Sequence, residues 1–330
     1  MFVKWMKDNN KVYDRAEDLL KAFSIYKERT KAIDEHNRNF DLGLVSFKKE
    51  LNKYADMEPE YIRKTARGYR PPIFGIQGRL IMPTYGSIPK APESFNWADK
   101  GCVTPVKNQG YFCNNCWAFS ALAALESQYL IWDQKNYSLS EQNLIDCNYN
   151  NITGNYGCKG GAQSLAYEWI KKNGIELTET YNYNEWFSHD DIFPCKFSSK
   201  RSVGGLYDYV RIRPRNEDFL KDCVSYYGPC AIAFNGEMED FMMYESGIYD
   251  NPNCTSGLSH SVIVVGSGKQ TRADGTELEY WICKNSWGLK WGENGFFRIL
   301  KGSNLCGLTN YIICPLLRDP QTRDHSRDWN

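Results

Sequence analysis

None of the chain's twelve cysteines precedes position 102. A disulfide framework is therefore confined to the later two thirds, and the first third must hold itself by helix packing or by docking onto the rest. Between the two runs YRPPIFGIQGRLIMPTYGSIPKAPESF, where Pro and Gly are too dense for regular structure, and a linker is expected there. Charge divides at the same place. Residues 1–88 carry 17 basic and 12 acidic side chains, while the whole chain balances at 40 of each, so the remainder is net negative. Opposite signs suggest a basic leader lying on an acidic body, its docking weakened when carboxylates titrate at low pH. A chance imbalance between two solvated surfaces is the alternative.

At 330 residues the chain can bury one large or two medium cores. Zero formal charge removes the electrostatic footprint of a nucleic-acid binder and the polybasic arm of a membrane-surface protein. No run approaches the roughly 20 apolar residues that span a bilayer. The opening MFVKWMKDNN lacks the apolar centre of a secretory signal peptide, so such a segment is expected to be absent from this chain or already removed. Twelve Cys suit an oxidising compartment, and sequons at Asn136, Asn151 and Asn253 are compatible with export and glycosylation.

In the leader, Leu19, Phe23, Tyr26 and Ile33 predict an amphipathic helix over residues 12 to about 39, followed by a strand-like run near Val45 to Phe47 and a second helical piece. Beyond the linker, CWAFSALAALESQYLIW predicts a largely buried helix from Cys116. SLSEQNLIDC offers a capping box of Ser138 with Glu141, and AQSLAYEWIKKNG ends at Gly174. SHSVIVVGSG, LEYWICKNSWG and GFFRILKG read as antiparallel strands. The 22 Tyr and 10 Trp suit a β-rich core with a cleft.

Four histidines make the search for chemistry short. His36, His189 and His325 fall on the leader helix, in a charged loop and in the polar tail, and read as solvated surface residues. His260 opens the apolar run Val262 to Val265. Cys116 gives that histidine a partner, because a thiol in the first turn of a helix faces unpaired N–H groups and the positive dipole end, which favour thiolate. A thiolate attacks carbonyl carbon, an imidazolium returns the proton to the leaving amine, and an amide such as Asn285 orients the ring without neutralising the pair. Trp287 would shield that amide from water.

These residues resemble the papain family of cysteine peptidases, in particular its cathepsin L-like members, whose histidine follows the cysteine by about 130–150 residues. The likeness extends through PVKNQG, SEQNLIDC, GCKGG, Gly228-Pro229, ESGIYDNP, SHSVIVVGSG, KNSWG and WGENGFFRI, over residues 91 to 315. YKERTKAIDEHN resembles the helix motif of the family's propeptides, with Tyr26, Ile33 and Asn37 fitting and Asp18, Ala22 and Arg29 departing. ELNKYADM keeps Asn52 and Asp56 of the next motif, with Tyr54 and Glu50 substituted. The resemblance implies an α+β, two-lobe papain-like fold, a helical lobe (about 100–205) and an antiparallel, barrel-like β lobe (about 206–315), with a polar tail (316–330). Residues 1–88 would be a helical inhibitory propeptide and linker filling the cleft backwards, residues 89–330 the peptidase domain, and activation would cut within Gly78 to Ala91.

The family's roles would fall on Cys116 as nucleophile, His260 as acid and base, Asn285 as orienter and Gln109 as oxyanion donor. Gly160 and Gly161 would pair with a substrate strand. Ala162, Gln163, Ala233, Leu258, Ser261 and Tyr311 would line the pocket for the second side chain upstream of the cut, and Trp287 would border the substrate site. The absence of a carboxylate at that pocket's floor implies medium hydrophobic groups over Arg. Implied disulfides are Cys113–Cys158, Cys147–Cys195 and Cys254–Cys306. Cys102, Cys223, Cys230, Cys283 and Cys314 have no family role; Cys230 and Cys283 read as buried thiols, with an additional bridge as the alternative. Protein or peptide substrates, the chain's own propeptide and cystatin-like inhibitors would be its partners; a monomer, lysosomal or secreted, is implied.

Gln109 stands seven residues before Cys116 where the family has six, Asn114-Asn115 replaces Gly-Ser, and Ser259 precedes His260. Altered rate or specificity is expected from these departures, since no proton-transfer group is lost. A catalytically impaired homologue acting as a binding protein is the rival reading. Cys113-x-x-Cys116 as a metal or redox pair lacks a second close Cys pair, so neither metal nor cofactor is expected. A disulfide-stapled interaction module leaves the joint placement of Cys116, His260 and Asn285 unexplained.

Overall fold

A computed structural model describes residues 1–72, 88–149, 155–184, 193–212, 216–272 and 274–322. Two leader helices cross: α1 (Phe2–Asp8) and α2 (Ala16–Asp41). The seven-residue α1 is too short to announce itself by periodicity. Tertiary contacts hold it: Trp5 Nε1 donates to the carbonyls of Leu51 (3.0 Å) and Asn52 (3.1 Å), and Phe2 and Trp5 pack on Tyr26. That docking selects the buried face of α2, which is Ala22, Tyr26, Arg29 and Ile33, and leaves Leu19 and Phe23 38% and 44% exposed.

The leader strand is β1 (Phe47–Lys49), two residues later than its hydrophobicity suggests. Asn37 on α2 fixes it there, donating to the Lys49 carbonyl (2.8 Å) and accepting its N–H (2.9 Å). His36 is consequently no solvated surface residue: its ring packs on Phe47 and its Nε2 lies 2.9 Å from the Phe47 carbonyl. A third leader helix, α3 (Pro59–Thr65), follows. His189, His325, Asn151 and the linker from 73 to 87 lie outside the described residues.

The body begins with β2 (Phe95–Asn96) and the helices α4 (Cys116–Asp133), α5 (Glu141–Cys147) and α6 (Gln163–Asn173). Helix α4 is buried on nearly every side because it runs between two layers. Trp117, Ala121 and Leu125 face α5 and α6, and Ala124 meets Ala231, Ile263 and Val265 of the sheet. The cap of α5 is Ser140, accepting from Asn143 N–H (3.0 Å), and not Ser138. Leu139 bridges Leu177 in extended backbone, so the helix cannot start before Ser140, and the Ser138 hydroxyl meets Thr178 instead. Helix α6 stops at Gly174, whose φ of 87° suits glycine.

The second lobe holds β3 (Asp208–Arg211), α7 (Glu217–Tyr227), β4 (Cys230–Phe234), α8 (Glu239–Met242), β5 (Tyr244–Tyr249), β6 (His260–Thr271), β7 (Glu277–Lys284), β8 (Phe296–Leu300) and β9 (Tyr311–Leu316). Sheet order is β1-β5-β8-β7-β6-β4-β9-β3, with β2 also on β6. The α+β fold stands, but the sheet is open and not barrel-like: its ends, β1 and β3, do not pair among the described residues. One pair, β5–β8, is parallel, because the β6-β7-β8 meander returns β8 alongside β5 in the same sense. The leader's β1 thus extends the body's own sheet.

The three implied disulfides are present, together with a fourth, Cys230–Cys314. The buried thiol expected at Cys230 is thereby corrected. Strands β4 and β9 pair with Ala231 opposite Ile313, which sets Cys230 opposite Cys314 with Cα atoms 4.2 Å apart, close enough for the two sulfurs to join. Cys283 and Cys223 remain buried thiols.

Candidate active site

Cys116 is the first residue of α4, with Asn115 as its N-cap. Ser261, next to His260 at the start of β6, brings its N–H toward the Cys116 sulfur, as do Trp117 and Gly68. The helix start and the strand start therefore meet at this sulfur. His260 is held by strand pairing opposite Phe234, and its Nε2 lies 2.9 Å from Asn285 Oδ1. That oxygen also accepts the Ser286 N–H (2.8 Å), so it is an acceptor and His260 Nε2 carries the proton. Nδ1 is left buried with no hydrogen-bond partner. Trp287 stacks on the imidazole, centroids 4.7 Å apart and planes at 27°, and covers the pair from solvent.

Gln109 is anchored twice by Ser286: its N–H donates to the Ser286 carbonyl (2.8 Å), and its Oε1 accepts the Ser286 hydroxyl (2.7 Å). With Oε1 engaged, the Nε2 donors are what the side chain offers a further acceptor. The extra residue before Cys116 is taken up by Tyr111 and Phe112, the latter 45% exposed. Tyr183 ties the altered segment together, since its hydroxyl donates to the Gln109 carbonyl (2.7 Å) and accepts from Asn115 Nδ2 (2.8 Å).

The leader occupies the cleft. Gly68 lies against the Cys116 sulfur, and a Cβ there would stand 2.5 Å from it. Tyr69 bridges Gly161 in parallel, with Arg70 N–H donating to the Gly161 carbonyl (2.8 Å) and Gly161 N–H to the Gly68 carbonyl (3.0 Å). The Tyr69 ring packs on Tyr311 at 4.9 Å. Register puts Ala233 opposite both Ser261 and Tyr311, in one row across the sheet, and Ala162, Leu258 and Tyr69 join the same apolar cluster. Gln163 lies beneath that row, its amide donating to Ser120 Oγ (3.0 Å) and the Ile232 carbonyl (3.1 Å). Gly160, at φ 107°, is approached by Gly68 and Arg70. Arg29–Glu239 and Arg67–Glu237 are ion pairs of the expected sign between leader and body.

Burial acts on both groups, at Cys116 with Gly68 of the leader against the sulfur and at His260 among Phe234, Gly236 and Trp287. Cys116 is pushed up to about 12 by desolvation, which outweighs the nearby N–H groups. His260 is lowered to about 4 by desolvation, offset in part by Asn285. Both shifts favour the neutral forms, thiol and imidazole, against the thiolate expected from the helix start.

Composition reasoning missed the buried charges behind the site. Lys107 donates to Glu126 (2.7 Å) and Glu141 (2.8 Å), Thr104 links to Glu126, and Lys284 donates to the Thr104 carbonyl (2.8 Å). Burial opposes the Lys107 charge, but Glu126 and Glu141 more than offset it and its pKa is raised. Lys284, lacking a carboxylate of its own, is lowered by burial to about 8. The signal was present in SEQN and KNSWG, each of which places one charge in an otherwise buried segment, whereas PVKNQG is partly exposed.

A thiol at a helix start, an amide-held imidazole from the facing lobe and a leader seated on the thiol define a thiol protease held in its inactive form. The comparisons agree. Residues 91–316 match the papain family cysteine protease model and residues 2–62 the cathepsin propeptide inhibitor domain (I29). The chain is 37% identical to procathepsin L of Mus musculus over 317 residues, covering 95% of this chain and 91% of that protein. It is 34% identical to cathepsin S of Bos taurus, covering 94% and 90%. The structure of digestive procathepsin L2 proteinase from Tenebrio molitor larval midgut superposes with a TM-score of 0.87 at 31% identity, covering 96% of this chain and 98% of that one. The chain belongs to the papain family of cysteine proteases, and it is a cysteine endopeptidase zymogen carrying its own propeptide.

Proposed function

We propose that Cys116 is the nucleophile, His260 the acid and base, Asn285 the orienter and Gln109 the oxyanion donor. Departure of the leader readmits water, relieves the desolvation of Cys116, and lets its proton pass to His260 Nδ1. The sulfur then bonds to the scissile carbonyl carbon, and the oxyanion is met by Gln109 Nε2 and the Cys116 N–H. His260 gives its proton to the leaving nitrogen as the C–N bond breaks, leaving a thioester. Water, losing a proton to His260, displaces the sulfur and releases the acid. The observation that carries this reading is the His260 ring itself, with Nε2 fixed on Asn285 Oδ1 at 2.9 Å and Nδ1 buried and bare.

Gly160 and Gly161 would pair with the substrate strand upstream of the cut. Ala162, Ala233, Leu258, Ser261 and Tyr311, above Gln163, would take its second side chain, with Trp287 at the other edge. Tyr69 of the leader rests against Tyr311, which supports a hydrophobic occupant; a peptide-library profile dominated by Arg there would contradict it. The peptidase domain would be residues 89–330, freed from 1–88 by a cut between 78 and 91, where residues 78–87 lie outside the described residues. The bridges and the exposed sequons at Asn136 and Asn253 support a glycosylated monomer of the endomembrane system or outside the cell. Cystatin-like inhibitors would enter the cleft the leader vacates.

Incubation at about pH 4–5 with a thiol reductant should shorten the chain and yield peptide hydrolysis, as acid weakens leader docking. An epoxide or vinyl-sulfone probe should then label Cys116. A shortened chain that neither hydrolyses peptides nor takes the label would favour the binding-protein alternative.

A further inference from the structure

The leader crosses the cleft in a direction that identifies its two ends. Gly68 lies on the Cys116 sulfur, and Tyr69 and Arg70 pair with Gly161 on the side proposed for the acyl half of a substrate. Leader residues packed on the opposite side therefore cover the ground where the leaving amine and the residues after it would lie. There Tyr54 is wedged between two rings of the body. It stands 5.7 Å and edge-on from Tyr111, and 5.7 Å and edge-on from Trp287. The Lys53 ammonium sits 4.8 Å from the Tyr111 ring centroid, and that of Lys11 5.4 Å.

This patch adjoins the chemistry, since Trp287 stacks on His260 and Tyr111 follows Gln109 by two residues. Tyr111 also lies in the segment that is one residue longer than the family spacing, with the Phe112 ring edge-on behind it at 6.2 Å. Lys11, Lys53 and Asp56, the charged groups recorded around Tyr111, all belong to the leader. Removing the leader would uncover the parts of Tyr111 and Trp287 that Tyr54 and the two ammoniums now meet, a setting suited to another ring and a cation.

We propose that Tyr111, with Trp287, forms a leaving-side subsite for an aromatic residue accompanied by Lys or Arg, so that the enzyme favours substrates presenting such a pair just after the scissile bond. This rests on the catalytic assignment above, and the test separates the two. Quenched fluorescent peptides with one acyl half and varied leaving halves are given to the leader-free enzyme, beside a peptidyl-coumarin substrate that has no leaving-side residues. A ring contact plus a cation–ring contact together amount to about tenfold in kcat/KM for Tyr-Lys over Ala-Glu.

That ratio should persist in Tyr111→Phe and fall toward one in Tyr111→Leu. Being internal to each enzyme, the ratio is insensitive to a general loss of folding or activity. Hydrolysis of the coumarin peptide with a flat leaving-side profile, or a Tyr-Lys preference unchanged in Tyr111→Leu, overturns the subsite alone. Failure of the wild-type enzyme to cut the coumarin peptide overturns the catalytic assignment and the subsite with it.

Discussion

Replacing Gly68 by Ala should unseat the leader from the Cys116 sulfur. The added Cβ would stand 2.5 Å from the Cys116 sulfur, 2.8 Å from the Asn114 carbonyl oxygen and 3.0 Å from its carbon. The body cannot yield, because Asn114 N–H is bonded to the Cys158 carbonyl (3.0 Å) beside the Cys113–Cys158 bridge. The leader must lift instead. Lifting breaks Tyr69 N–H to the Ser259 carbonyl (2.7 Å), Arg70 N–H to the Gly161 carbonyl and Gly161 N–H to the Gly68 carbonyl. At about 0.5–1.5 kcal/mol each, these sum to about 1.5–4.5 kcal/mol, or about 10- to 2,000-fold in opening. The assay is alkylation of Cys116 in the uncut zymogen, followed by intact mass and mapped to the Cys116 peptide. Arg67→Ala is the control, since it removes one half-exposed ion pair to the body, at Glu237, worth at most about 1 kcal/mol or fivefold, and a looser one to Glu60 within the leader. Alkylation of Gly68→Ala within twofold of the parent would refute the reasoning.

His260 is lowered by burial to about 4 from 6.5, so the docked chain binds fewer protons than the unfolded chain between those values. Its stability is full above about pH 6.5 and falls by about 3 kcal/mol as pH drops toward 4. Melting of an uncut Cys116→Ser chain should show this acid limb, and Cys116→Ser with His260→Ala should flatten it; equal limbs would exclude His260 as the source. The Cys230→Ala, Cys314→Ala pair opens a bridge spanning 84 residues and should lower stability by about 2–4 kcal/mol in urea titrations, leaving the other three bridges intact. Asn285→Ala strips the His260 N–H of its acceptor, a loss of about 1–3 kcal/mol that should appear as about 5- to 150-fold in kcat/KM. Unchanged kcat/KM would mean that the Trp287 stack alone orients the ring.

The parts of this molecule legible in its sequence are those set by neighbours along the chain. Helix α4 is announced by a run of helix formers without Gly or Pro, and β6 to β8 by short apolar runs between turns. The parts that were not legible depend on distant partners. Tyr26 became the centre of the buried face of α2 because α1 docks there, and Cys230 found Cys314 only through strand register. Gly68 was invisible because it needs space and not a special backbone angle, and the crowding comes from a cysteine 48 positions further on. The ionisation of Cys116 shows the same division. Its place at a helix start argues for thiolate, and its burial under Gly68 argues for thiol. The two oppose each other at one sulfur, and with Gly68 against it burial outweighs the helix start and the nearby N–H groups. Blockage follows from the geometry, since Gly68 lies on the sulfur that a substrate carbonyl would have to reach, and the same burial disfavours the thiolate that such an attack would need.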